Sequence, residues 1–302
     1  MASRLSSAQL RTLYLRERLF EGTLFFCAAF SVFVTIAIVV VLVYESATFF
    51  QTVPITEFLT DTVWTPLFAN PRYGILPLLS GTLLSTLVAL CVAGPLGLIT
   101  AVYLSEFAPP RVREVVKPML ELLSGVPTVV YGFFALLFVT PLLQKIVPGL
   151  PGFNILSAGI VIGIMIIPYV ASLSEDAMRA VPQGLRDGSL ALGATRLETA
   201  FRVVLPSAIS GVAAAFVLGI SRAVGETMVV AIAAGQQPNL TFDPREPAAT
   251  ITAYIVQVAL GDLPHGSIGY QTIFAAGLTL LLITLLFNVF AFWLRARFRE
   301  AY

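Results

Sequence analysis

Arg222 and Glu226 stand four residues apart inside an apolar run, 209–234, that is long enough to cross a bilayer. In a continuous helix that spacing puts both side chains on one face, within reach of an ion pair. About twelve residues into the run, at 1.5 Å rise, they would lie roughly 18 Å deep, near the bilayer centre. An arginine at that depth costs at least about 2.5–3.5 kcal/mol unless it is paired or wetted. Two chemistries fit. A structural salt bridge would lock this helix to its neighbours. A positive stop for an anion, with Glu226 holding Arg222 in orientation, would mark a translocation route, and intramembrane charges favour this second reading. Gly211, Ala215, Gly219, Ala223, Thr227 and Ala231 recur at every fourth position of the same run. Such a ladder lets helices approach closely, and it would set Arg222 near a helix–helix interface, where a path between two subunits would run. Gly159 and Gly163 repeat the spacing in an earlier run.

A second group with a kept spacing lies in the polar segment 175–208: Asp187-Gly188-Ser189, Gly193, then Val203, Leu205 and Pro206. It reads as two short helices meeting at a glycine. Thr195 and Glu198 form a capping box, hydroxyl and carboxylate satisfying orphan backbone donors at a helix start. Leu197, Phe201 and Val204 follow at i, i+4 and i+7, a narrow apolar stripe on a charged helix. That stripe must lie on lipid headgroups, on the protein's own helices, or on a partner.

The elements that position these groups are membrane elements. Hydrophobic residues make up 57% of the 302 and charged residues 12%, against a soluble average of about 25% charged. Six apolar stretches, near 22–44, 76–104, 126–147, 155–173, 209–234 and 273–294, reach or approach the roughly 20 helical residues a crossing needs. Gly94-Pro95, Pro141 and Pro168 interrupt them, which membrane helices tolerate when neighbours re-satisfy the freed backbone groups. The first stretch lacks a small-residue cleavage site and is expected to be an anchor rather than a removed signal. The organisation expected is an all-α integral membrane protein: an N-terminal segment 1–21, one membrane domain 22–294 and a tail 295–302.

Basic residues orient it. Arg4, Arg11, Arg16 and Arg18, then Arg111, Arg113 and Lys117, then Arg179, Arg186, Arg196 and Arg202, then Arg295, Arg297 and Arg299 all fall on one side of a six-span chain. Arg72, Lys145 and Arg245 fall on the other. The bias puts both termini and the 175–208 segment in the cytoplasm. The opposite side carries two longer connections, about 45–75 and 235–271, rich in turn formers and able to present a docking surface. His265, the one histidine, lies in the second as a solvated loop residue, and one histidine without cysteine partners makes no metal site. Cys27 and Cys91 lie in apolar runs, where packing is their role. A net charge of +1 suggests no nucleic-acid partner.

No fuel site is visible. Neither lysine, Lys117 or Lys145, follows glycine in a phosphate-binding loop. There is no His/Cys cluster, nucleophile elbow or zinc-protease helix, so an enzyme is not expected. Glu226 is the one clear acid inside a span that could relay protons.

The 187–206 pattern resembles the EAA loop of ATP-binding-cassette importer permeases: an acidic triplet, three residues, glycine, nine residues, then an aliphatic-x-Leu-Pro. Here Asp187-Gly188-Ser189 stands where the family has Glu-Ala-Ala, and Gly193, Val203, Leu205 and Pro206 keep every spacing. Over most of its length the chain is similar to the C subunits of bacterial phosphate-specific transporters. The similarity rests on Tyr73-Gly74-Ile75-Leu76-Pro77 with Gly81-Thr82, on Trp64-Thr65-Pro66, on Tyr103-Leu104-Ser105-Glu106-Phe107-Ala108-Pro109, on 124–132, and on Ser221-Arg222-Ala223-Val224-Gly225-Glu226-Thr227. The resemblance implies a type I importer permease fold of six transmembrane helices with cytoplasmic coupling helices, in a bacterial inner membrane. It implies docking of Asp187, Gly188, Ser189, Gly193, Val203, Leu205 and Pro206 on a separate ATPase, and Arg222 and Glu226 along the phosphate path. It further implies a homologous second permease subunit, an ATPase dimer and an extracytoplasmic phosphate-binding protein as partners. ATP and magnesium would be used by the ATPase, with no cofactor on this chain. Another oxyanion, sulfate or molybdate, and a proton-coupled carrier using Glu226 stand as alternatives.

Overall fold

The computed structural model describes residues 7–297; Arg4 and Arg299 lie outside the described residues. The described chain is helical, with two isolated bridges and no strand. Its principal helices are α1 (Ser7–Thr52), α2 (Leu76–Phe107), α3 (Pro110–Ser124), α4 (Thr128–Gln144), α5 (Ile155–Arg179), α6 (Gln183–Ala191), α7 (Arg196–Ser207), α8 (Ile209–Val224), α9 (Met228–Ala233), α10 (Ile251–Ala259) and α11 (Ile268–Arg297). Among the described residues four helices are long and apolar enough to cross a membrane, or up to six if each of two bent pairs is one span. The bent pairs are α3 with α4, at 89°, and α7 with α8, at 73°.

Two expected spans therefore change shape. The 126–147 stretch is helical over Thr128–Gln144 only, at a right angle to the amphipathic α3 before it. The 209–234 stretch is two helices, because α8 ends at Val224 and α9 starts at Met228. Prolines act in two ways. Pro95 and Pro168 sit inside unbroken helices, whereas Pro109, Pro141 and Pro206 each follow a widened turn. Those turns span Tyr103–Phe107, Ala135–Val139 and Ala200–Val204, closed by i→i+5 bonds from Ala108, Thr140 and Leu205. A proline supplies no N–H to the ladder and its ring crowds the carbonyl four residues back, and the wider turn accommodates that loss.

α5 is the centre. It packs on α2 so tightly that a Cβ on Gly159 would sit 2.6 Å from Val88 Cβ, and one on Gly163 2.7 Å from Val92 Cβ. α8 also packs on α5, where a Cβ on Gly211 would collide with Ala177 Cβ. Close van der Waals approach is what holds apolar helices together in lipid. The small-residue ladder of 211–223 thus packs on α5, at Gly211 against Ala177 and Gly219 against Val170, the close helix approach its spacing predicts. α1 leaves its apolar window unburied and runs alongside α11.

The loop end is fastened by aromatics and glycines. Trp64 is buried edge-on to Tyr254, ring centres 5.0 Å apart. A Cβ on Gly74 would collide with Asp61 O, and one on Gly81 with Ala249 O. Thr82 Oγ1 accepts from Ile251 N at 3.0 Å. The Trp64, Gly74, Gly81 and Thr82 motif positions thus hold two loops against α2. His265 is exposed, edge-on to Tyr270.

Candidate functional site

Arg222 occupies the last turn of α8, and the chain breaks at Gly225 before α9 begins. The break separates the two charges that a continuous helix would have aligned. Glu226 turns back on the chain: its Oε1 accepts from Met228 N at 3.1 Å and Val229 N at 3.3 Å. A carboxylate on the free N–H groups of a helix start is a local cap. Its backbone oxygen accepts from Thr252 Oγ1 at 2.6 Å, tying the break to α10. Glu226 is nearly buried, and among the described residues no ion pair joins it to Arg222. Neither the structural salt bridge nor the carboxylate that orients Arg222 is present.

Arg222 is held by a ring instead. Its Cζ lies 4.6 Å from the centroid of Tyr169 on α5, a cation–π contact that fixes a guanidinium without neutralising it. Its Nε is buried with no hydrogen-bond partner, as is Ser221 Oγ next to it. Arg222 as a whole is half-buried, and a buried N–H and hydroxyl that lack acceptors carry a desolvation cost. An oxyanion supplies the oxygen acceptors both groups lack. Sequence reasoning named Arg222 but missed Tyr169, which is 53 positions away and only meets it through the α5–α8 packing.

α9 is braced from the other side. A Cβ on Gly132 of α4 would lie 2.7 Å from Ile232 Cδ1, so the 124–132 motif closes α4 onto α9. Tyr131 OH donates to Leu123 O at 2.8 Å, fixing the turn between α3 and α4.

The 175–208 segment forms as its local signals require. α6 ends in a turn whose Gly193 has φ +86°, a conformation that costs other residues a Cβ clash. The capping box is present: Glu198 N donates to Thr195 Oγ1 at 3.2 Å, and Thr195 N to Glu198 Oε2 at 2.9 Å. Ser189 and Thr199 hydroxyls lie 3.0 Å apart and pin the two halves together. Asp187, Gly188, Gly193 and Pro206 are exposed, while Ser189, Val203 and Leu205 are half-buried. The expected stripe divides: Val204 is buried against α2, α5 and α8, but Leu197 and Phe201 are exposed. With Leu190 and the 91% exposed Leu192 they are large apolar side chains left uncovered on both sides of Gly193 in the chain.

Two cations of α3 are spent inside the protein. Glu175 near the end of α5 is fully buried, and its carboxylate accepts from Arg113 Nε at 2.7 Å and Lys117 Nζ at 2.8 Å. Lys117 also reaches Asp176. This cluster joins α3 to α5, and nothing in the linear sequence pairs residues about 60 positions apart.

Against known proteins, residues 93–300 match the family described as "Binding-protein-dependent transport system inner membrane component". The chain is 37% identical over 241 residues to the probable ABC transporter permease protein YqgH of Bacillus subtilis, covering 80% of this chain and 78% of that protein. It is 32% identical over 263 residues to the phosphate transport system permease protein PstC of Mesorhizobium japonicum, again 80% and 78%. Among solved structures, a bacterial ABC transporter that imports alginate superposes with a TM-score of 0.65 at 16% identity, covering 96% of this chain and 99% of that one. That likeness is one of fold.

Proposed function

We propose, for a chain that belongs to the binding-protein-dependent transport system inner membrane components, the role of permease subunit in an ATP-driven importer of inorganic phosphate. The observation that carries the anion chemistry is Arg222, a cation held by Tyr169 with its Nε unpartnered. Phosphate rather than another oxyanion is supported by the phosphate transport permeases that the chain matches at 30–35% identity over most of its length. The segment around Gly193, with its exposed apolar side chains, is the surface for a separate ATPase. A homologous second permease subunit completes the path, and a phosphate-binding protein docks at the loop end. The basic end faces the cytoplasm by the excess of arginine and lysine there. ATP and magnesium belong to the ATPase, and this chain catalyses nothing itself. ATP-driven closure of the ATPase pushes on α6 and α7 and opens the path to the far side. Arg222 then offers a weak, transient stop, as a conduit must release what it binds.

The test is reconstitution with the second permease, the ATPase and the binding protein, reading ATP hydrolysis. Phosphate-loaded binding protein is expected to stimulate it, and sulfate or molybdate not. Stimulation by sulfate alone would overturn the substrate and leave the architecture standing.

A further inference from the structure

α6 carries one charged side chain that is largely covered. Arg186, 12% exposed, reaches the widened last turn of α2, where Glu106 is 10% exposed. Its Nη2 donates to Glu106 Oε1 at 3.0 Å and its Nε to Oε2 at 3.2 Å, a two-point fork. The same guanidinium donates to Met178 O at 2.8 Å and Val181 O at 2.6 Å, at the end of α5 and just beyond it. Ser105 Oγ donates to Glu106 Oε1 at 2.7 Å and completes the shell. One arginine thus gathers α2, α5 and α6.

The chemistry is that of a joint. A planar guanidinium with a bidentate carboxylate resists rotation as well as separation, and a nearly dry pair is screened little by salt. Among the described residues it is the one side-chain hydrogen bond or ion pair between α6 and α2. α6 is joined covalently to α5 by a three-residue turn, 180–182, and is pinned to α7 through Ser189 and Thr199. At its far end α2 holds Ile251 through Thr82, and the neighbouring Thr252 holds the backbone of Glu226 at the α8–α9 break. The widened turn at Tyr103–Phe107 places Glu106 where it meets Arg186.

We propose that the Arg186–Glu106 pair is the positioning joint through which movement of α6 is passed to α2, and so to the break beside Arg222. The inference rests on the importer reading above. The test uses the reconstituted complex carrying Glu106→Gln or Arg186→Lys, which keep size or charge but lose the ionised fork. Both are expected to assemble and hydrolyse ATP while moving on the order of tenfold fewer phosphates per ATP, the worth of one charge-assisted hydrogen bond. A merely structural role would lower assembly and leave that ratio unchanged. Unchanged phosphate per ATP overturns the joint while the importer reading stands, and so does loss of assembly in both variants. A wild-type complex with no phosphate-stimulated hydrolysis overturns both.

Discussion

At the scale of single residues, position along a helix was a poor guide to partnership. Glu226 was legible as a buried acid, and its spacing from Arg222 suggested a pair. The break at Gly225 instead gives its carboxylate to Met228 and Val229. Glu226→Gln, whose amide oxygen can still accept both bonds, is expected to keep most phosphate uptake. Glu226→Ala is expected to lose about 1 kcal/mol with its cap, read as a lower melting midpoint in detergent. A proton-coupled carrier would instead lose transport in the Gln variant. Glu175 was not legible, because its cations come from a helix about 60 residues earlier. Glu175→Ala leaves Arg113 without this carboxylate and Lys117 with Asp176 alone, and is expected to cost about 1.5–3 kcal/mol. Thermal unfolding of the purified chain measures it, and a change below about 1 kcal/mol would show the cluster to be solvated in solution.

At the scale of elements, local grammar was readable and long-range geometry was not. The capping box at Thr195 and Glu198 and the turn at Gly193 follow from residues within four positions of one another, and both form. The shape of the 209–234 stretch depends on how α4 and α10 grip α9, through Gly132 and Thr252, which no window of that stretch contains. The same contrast separates two glycines of the coupling segment. Gly188 lies inside α6, where an added methyl would meet no atom within 4 Å, so Gly188→Ala is expected to stabilise the helix by roughly 1 kcal/mol. Gly193→Ala has equal space but φ +86°, and is expected to cost about 1–2 kcal/mol and weaken ATPase binding. Co-purification of the ATPase with each variant checks the pair; equal retention would mean that the turn is not part of the docking surface.

At the scale of the molecule, composition alone placed the chain in a bilayer, and the resemblance of the 187–206 motif to importer permeases implied an outside motor. What composition could not convey is how the two sites connect. The Gly159 and Gly163 contacts make α2 and α5 one packed unit, with the coupling segment at one end and the Arg222 break alongside. The central proposal is that ATP moves phosphate past an unneutralised Arg222. Its most direct measurement is uptake of labelled phosphate into proteoliposomes bearing the complete complex, wild type beside Arg222→Gln, with ATP or with a proton gradient alone. Uptake should require ATP, ignore the gradient, and fall on the order of tenfold or more in the variant, as loss of one buried charge-assisted contact implies. Gradient-driven uptake without ATP, or an Arg222→Gln complex that transports like the wild type, would contradict it.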